Sequence, residues 1–140
     1  MTCIFNRKTT PALIVVIIGA IAAAMGCGRA SLTELKRTKS GMLDVVLLSP
    51  RDALRHGNDT FVIEFRSASG DLVDAGTVRA SASMSMSGTP MMGTIDVART
   101  DVAGRYAATS EFSMAGTWRL TIQWDGPAGQ GSVTFPGSVQ

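Results

Sequence analysis

An all-β fold, an immunoglobulin-like antiparallel β-sandwich of about seven strands behind an N-terminal leader, follows from three features of the sequence. Two segments alternate strictly: Phe61, Ile63 and Phe65 with Val62, Glu64 and Arg66, and Trp118, Leu120, Ile122 and Trp124 with Arg119, Thr121 and Gln123. A period of two places each apolar set on one face of a half-buried strand. Turn chemistry recurs at Ser69-Gly70-Asp71, Ala103-Gly104, Ala115-Gly116 and Asp125-Gly126-Pro127, a spacing that suits short strands. No long helical periodicity competes with it.

Residues 1–27 read as an address. Arg7 and Lys8 precede an apolar run from Pro11 to Gly26, the pattern of a secretory signal. At roughly 15 residues the run is shorter than the ~18 to 20 that cross a bilayer comfortably. It ends in Ala24-Met25-Gly26-Cys27, which resembles the lipobox of bacterial lipoproteins, with Ala24 where leucine or a branched residue is usual. The resemblance implies lipidation of Cys27, and each buried methylene of such an anchor contributes about 0.8 kcal/mol. Simple signal cleavage and a retained signal anchor stay open beside it. The expected location is a membrane-anchored lipoprotein facing the periplasm or the cell exterior.

Residues 28–41 carry Lys36, Arg37 and Lys39 without a hydrophobic repeat. They are expected to form a flexible tether, with at most a transient helical turn at Leu32 to Lys36 and a reach on the order of 20 Å. The folded domain is expected over 42–140. Besides the two alternating segments, weaker strands fit Met42 to Leu48, Thr77 to Met84, Thr94 to Arg99, Arg105 to Phe112 and Ser132 to Phe135. Phe61, Phe65, Phe112, Trp118 and Trp124 supply the apolar bulk of the core.

Composition excludes several functions. The two cysteines, Cys3 and Cys27, lie in the leader, so the domain has neither a disulfide nor a thiolate ligand. A formal net charge of +2, with its basic residues concentrated near the front, argues against a nucleic-acid partner. The single histidine, His56, has no nucleophile elbow near it, and no glycine run leads into the Lys-Ser/Thr of a phosphate loop. Asp71 and Asp74 flank a turn and read as solvated. An enzyme is not expected.

The distinctive chemistry is sulfur. Met84, Met86, Met91 and Met92 fall within M-S-M-S-G-T-P-M-M, a stretch too polar and too broken to be an ordinary core element. In a strand Met84 and Met86 share a face, and the Gly-Thr-Pro turn could fold Met91 and Met92 back over them. Thioethers are neutral at every pH and prefer soft ions, so such a site favours Cu(I) or Ag(I) over Zn(II), Ca(II) or Mg(II). Met114 is a further candidate ligand if its loop lies at the same end. His56 would convert the site to one that also holds Cu(II). Two other readings stay open: methionine as an adaptable core filler capping the sandwich, and an exposed apolar patch for a partner.

Several motifs together resemble a known family. L-L-S-P (Leu47 to Pro50) leads through G-N-D-T-F (Gly57 to Phe61) to the methionine run, then G-R-Y-A-A (Gly104 to Ala108) and F-S-M-A-G-T-W (Phe112 to Trp118). These resemble the YtkA-like domain, whose relatives include FixH-type proteins. The resemblance covers about Met42 to Phe135 and implies a small exported or membrane-attached β-sandwich linked to copper handling, heavy-metal efflux or oxidase assembly. A copper exporter, an efflux adaptor or an oxidase assembly component is the partner it implies; it implies no catalysis. The sequence departs from the family pattern in a Gly-Thr insertion between the two methionine pairs and in its shortage of histidine. The alternative function is a non-catalytic immunoglobulin-like module that docks on an envelope complex without metal.

Overall fold

A computed structural model describes residues 31–140; the leader, with Cys27 and its proposed lipidation, lies outside those residues. Eight strands follow in order: β1 (Thr33–Ser40), β2 (Leu43–Ser49), β3 (Gly57–Ser67), β4 (Thr77–Met84), β5 (Met91–Arg99), β6 (Arg105–Phe112), β7 (Gly116–Gly126) and β8 (Gly129–Val139). Neighbours are antiparallel in the order β1-β2-β3-β6-β5-β4-β7-β8. The strand β5 belongs to both layers of the sandwich: Met91 to Gly93 pair with β4, and Thr94 to Arg99 pair with β6. The crossing falls at Gly93, where a Cβ would sit only 3.1 Å from ring atoms of both Phe112 and Trp118. A side chain there would push into the rings that fill the core beneath the bend.

The interior is what the alternation predicts. Phe61, Ile63 and Phe65 point inward from β3, and Trp118, Leu120, Ile122 and Trp124 from β7. Phe65 meets Tyr106 and Trp124 edge-on at centroid distances of 5.6 and 5.2 Å. Phe112 tilts against Trp118 at 5.0 Å. Edge-to-face contact sets the positive ring edge on the negative face of its neighbour, a gain added to the area buried.

Two expectations are corrected. Most of the segment read as a tether, with its transient helical turn, is strand β1, paired with β2 from Thr33↔Ser49 to Ser40↔Leu43. Among the described residues the folded domain thus includes Thr33 to Ser40 and has eight strands, and Met42, expected within β2, sits exposed in the turn before it. β1 is an edge strand, so it needs only one ladder of hydrogen bonds and one inward apolar residue, Leu35. Its charged side chains, among them Lys36 and Lys39, protect the outer edge from pairing with another chain. Arg37 ties the hairpin by bridging Glu34 at 2.9 Å and Asp44 at 3.4 Å.

The ladders fix two ends. At one, called the rim below, lie the start of β1, the loop 50–56, the β4–β5 loop 85–90, the turn 113–115 and the end of β8. That placement follows from the terminal pairs Thr33↔Ser49, Gly57↔Phe112, Met84↔Met91 and Gly116↔Val139. At the far end lie the turns 41–42, 68–71, 100–104 and 127–128, beside Ser40↔Leu43, Leu43↔Ser67, Arg99↔Tyr106 and Gly126↔Gly129.

Candidate functional site

Met84 closes β4 and Met91 opens β5, and the two are direct cross-strand partners. Directly opposed residues project to the same face with Cβ atoms about 4.5 to 5.5 Å apart, within the reach of two thioether side chains. Their parity with Ala82 and Gly93 points both inward, where they pack half-buried on the core, two positions along their strands from the Ala82↔Gly93 pair, whose glycine abuts the Phe112 and Trp118 rings. The β4–β5 loop, with Gly88 at φ +103° and Pro90 before the strand, makes the reversal that brings them together.

The turn 113–115 closes over this pair. Ser113 Oγ donates to Met91 Sδ at 2.8 Å. Gly116, at φ +142°, comes so near Met84 that a Cβ there would lie 2.6 Å from the Met84 methyl carbon. The buried Trp118 indole N–H donates to the Met114 carbonyl at 3.1 Å and so anchors the turn to the core. Met114 itself is exposed, at 40%, on the same rim. The F-S-M-A-G-T-W motif thus supplies one wall of the site: its serine touches one sulfur, its glycine makes room for the other, and its tryptophan holds the turn.

The other predicted residues stand differently. Met92 follows Met91 by one position, points to the opposite face of β5 and is 66% exposed. Met86 lies in the 85–90 loop, 48% exposed. His56 is at the rim, but its Nδ1 lies 3.0 Å from the Gln140 carbonyl, which also accepts the His56 backbone N–H at 2.8 Å. These contacts tie His56 to the end of β8 on the far side of the Gly116–Val139 pair. The structure thus gathers Met84, Met91 and the Met114 turn, leaves Met86 on the loop above them, and turns Met92 away. Ser113 was not singled out from sequence and Gly116 was read only as a turn residue; the signal was their place in the motif already carrying Met114.

Charged groups cluster elsewhere. Glu64, on the outward parity of β3, is nevertheless 0% exposed. Arg105 grips one carboxylate oxygen with Nε at 2.9 Å and Nη2 at 2.6 Å, and Arg66 grips the other, with Nε at 2.8 Å. Near the far end, Tyr106 donates its hydroxyl to the Gly76 carbonyl at 2.9 Å and to Asp74 at 3.2 Å. The Gly76 N–H, then the Arg99 charge and the Tyr106 hydroxyl, hold the Asp74 carboxyl below its usual range. Burial, then the Asp74 charge, pushes the Tyr106 phenol up. At the rim the buried Asp59 accepts the Arg55 and Thr60 backbone N–H groups at 2.9 Å each and Arg51 Nη1 at 2.5 Å, which fixes the 50–56 loop. Among the described residues no three His, Cys, Asp or Glu side chains are gathered as a metal centre. The cleft between β1 and β8, lined by Leu35, Leu47, Leu54, Phe135 and Pro136, holds about 120 Å³, well under what a drug-sized ligand needs.

A small immunoglobulin-like sandwich with thioethers concentrated at one rim is the class these features define. The YtkA-like family model matches residues 37–123, and the chain belongs to that family. No curated protein matches this chain. Among solved structures it is similar to FetP of uropathogenic E. coli, isolated after expression in the periplasm, at 10% identity and a TM-score of 0.50, over 77% of this chain and 95% of that one. It is also similar to the Lin-41 filamin domain, at 20% identity and a TM-score of 0.44, over 63% of this chain and 81% of that one. Domains 4 and 5 of the S-layer protein SbsC match at 17% identity and a TM-score of 0.40, over 78% of this chain and 52% of theirs.

Proposed function

We propose that this YtkA-like protein is exported, held at a membrane through Cys27, and binds Cu(I) at the rim, without catalysing a reaction, in copper handling, efflux or oxidase assembly. The observation that carries the reading is the direct opposition of Met84 and Met91 beneath the Met114 turn. Two soft neutral donors on one face, with a third on a neighbouring turn and Met86 above, make a donor set that suits a monovalent soft ion and offers little to a hard divalent one. Half-burial of the inner pair would also keep water from competing for the ion, while the exposed Met86 and Met114 would give it a path in. Met92 faces away and has no part in the site.

The test is a Cu(I) titration, against a competing chelator, of a chain beginning at Ser31, which keeps β1. Binding is expected in the wild type, its loss in Met84→Leu/Met91→Leu, and its retention in Met92→Leu. A wild-type domain that leaves all Cu(I) with the chelator removes the reading.

The exposure of Met86, Met92 and Met114 supports a second reading, in which the rim is an adaptable apolar contact for an envelope complex. Capture of the same partner from metal-free and copper-loaded membranes would favour it over ion binding.

A further inference from the structure

The pairing of β1 with β2 limits how far the domain can stand from its anchor. With residues 33–40 folded into the sheet, only residues 28–32 separate Cys27 from Thr33. Six Cα steps span at most about 20 Å when fully extended, and a coil of that length averages nearer 13 Å. Thr33 pairs with Ser49 at the rim, so the link joins the domain at the end that carries Met84, Met91, the 85–90 loop and the 113–115 turn. The sandwich is longer than its link. The strands β3, β7 and β8 have 11 residues each, which at about 3.3 Å per residue makes roughly 36 Å, or about 30 Å once strand tilt is allowed for. To set the far end on the membrane the link would have to reach those 30 Å or more, and it cannot.

We propose that the methionine rim is the membrane-facing end of this domain, its occupant the lipid surface that holds the anchor, and the far-end turns the solvent-facing end. The inference rests on the anchored reading above and extends it: an ion held by Met84 and Met91 sits on the side of the domain from which a membrane-embedded donor or acceptor is reached. It rests on attachment at or beside Cys27, whether by lipidation or by retention of the apolar run that ends at Gly26.

The test uses the full chain, with Cys3→Ser, processed in a bacterial host and reconstituted in phosphatidylethanolamine and phosphatidylglycerol vesicles containing an acceptor dye on the headgroups. A donor dye is attached at Ser87→Cys in the 85–90 loop or at Ala128→Cys in the far-end turn, both exposed positions. Energy transfer from position 87 should exceed that from position 128 about twofold or more, given the ~30 Å between the two ends. Inserting about twenty Gly and Ser residues between Ser31 and Leu32 should erase the difference by lengthening the coil. Equal transfer from both positions in the membrane-bound natural chain, or more from position 128, overturns the orientation while leaving the anchor intact. Protein that stays out of the vesicle fraction overturns the anchor and the orientation with it.

Discussion

The two ends of the sandwich are built alike and held differently. Each has a buried aromatic group, Phe112 with Trp118 at the rim and Phe65 with Tyr106 and Trp124 at the far end. Near the far end, directional groups lock what surrounds the rings: the Tyr106 hydroxyl on Gly76 and Asp74, and two guanidinium groups on Glu64. At the rim two flexible thioethers pack against the core, and among the described residues the one hydrogen bond to their sulfurs is from Ser113. A lock of charges fixes geometry, while sulfur leaves side chains free to rearrange around a guest. Around the aromatic rings, the far end thus carries directional locks and the rim a sulfur cap, while the buried Asp59 pins the neighbouring 50–56 loop.

Removing the aromatic centre of the rim should cost most. Trp118→Ala deletes a fully buried ring, the contact with Phe112 and the anchor on the Met114 carbonyl, so a loss of about 3 to 5 kcal/mol is expected in denaturant unfolding. Because the turn over the methionines hangs on that indole, Cu(I) binding should fall with it. A variant that unfolds normally at low denaturant but binds copper unchanged would show that the turn does not shape the site.

Glu64→Ala tests the other end. Arg66 and Arg105 would keep their charges without a partner, but their side chains are 28% and 39% exposed and can turn to water. The cost is therefore below that of a fully buried pair, about 2 kcal/mol. Copper affinity should not change, since the carboxylate lies toward the end away from the methionines. A large change in affinity would mean that the ends communicate through the sheet.

How much of this was legible in the sequence depended on whether a residue's role was written in its own neighbourhood. Phe61, Ile63, Phe65 and the Trp118 to Trp124 series sit in unbroken alternation and point inward as expected. β1 was not legible, because T-E-L-K-R-T-K-S offers one inward leucine and owes its conformation to a partner strand. β8 was read over only Ser132 to Phe135 because glycines and Pro136 interrupt it, and an edge strand tolerates both. Glu64 looked like a solvent-facing position, and only its two arginine partners, one of them 41 residues away, explain its burial. At the site, the reversal that folds the second methionine pair back over the first was readable from the turn between them, but the register that sets Met84 opposite Met91 and leaves Met86 in the loop was not. The outward turn of Met92 follows from strand parity once the start of β5 is fixed, and the proximity of the Met114 turn depended on topology.

Replacing both inner sulfurs separates stability from binding. Met84→Leu/Met91→Leu keeps volume and apolarity, so it should cost less than about 1.5 kcal/mol while abolishing Cu(I) binding. Tyr106→Phe is the matched far-end variant: it strands the Gly76 carbonyl and one Asp74 interaction at about 1 to 2 kcal/mol and should leave binding alone. If the leucine pair proves the more destabilising, the methionines serve chiefly as core, and the case for a metal weakens.

The smallest effect is electrostatic and belongs to the far end alone. The folded-state pKa of Asp74 is depressed, so the native state binds its proton less readily than the unfolded chain does. The stability it lends is then present above the ordinary carboxylate range near pH 4 and is lost as pH falls through the lower folded value. Asp74→Asn should therefore lower the melting temperature slightly at neutral pH and flatten its decline in acid, with wild type and variant converging once the pH lies below the depressed folded-state value. The thioethers carry no proton in this range, so the intrinsic Cu(I) affinity of the rim should stay level over the same interval once the chelator's own titration is subtracted. An affinity that instead tracked the acid transition of Asp74 would tie the far-end lock to the sulfur site, and the division of labour between the two ends would fail.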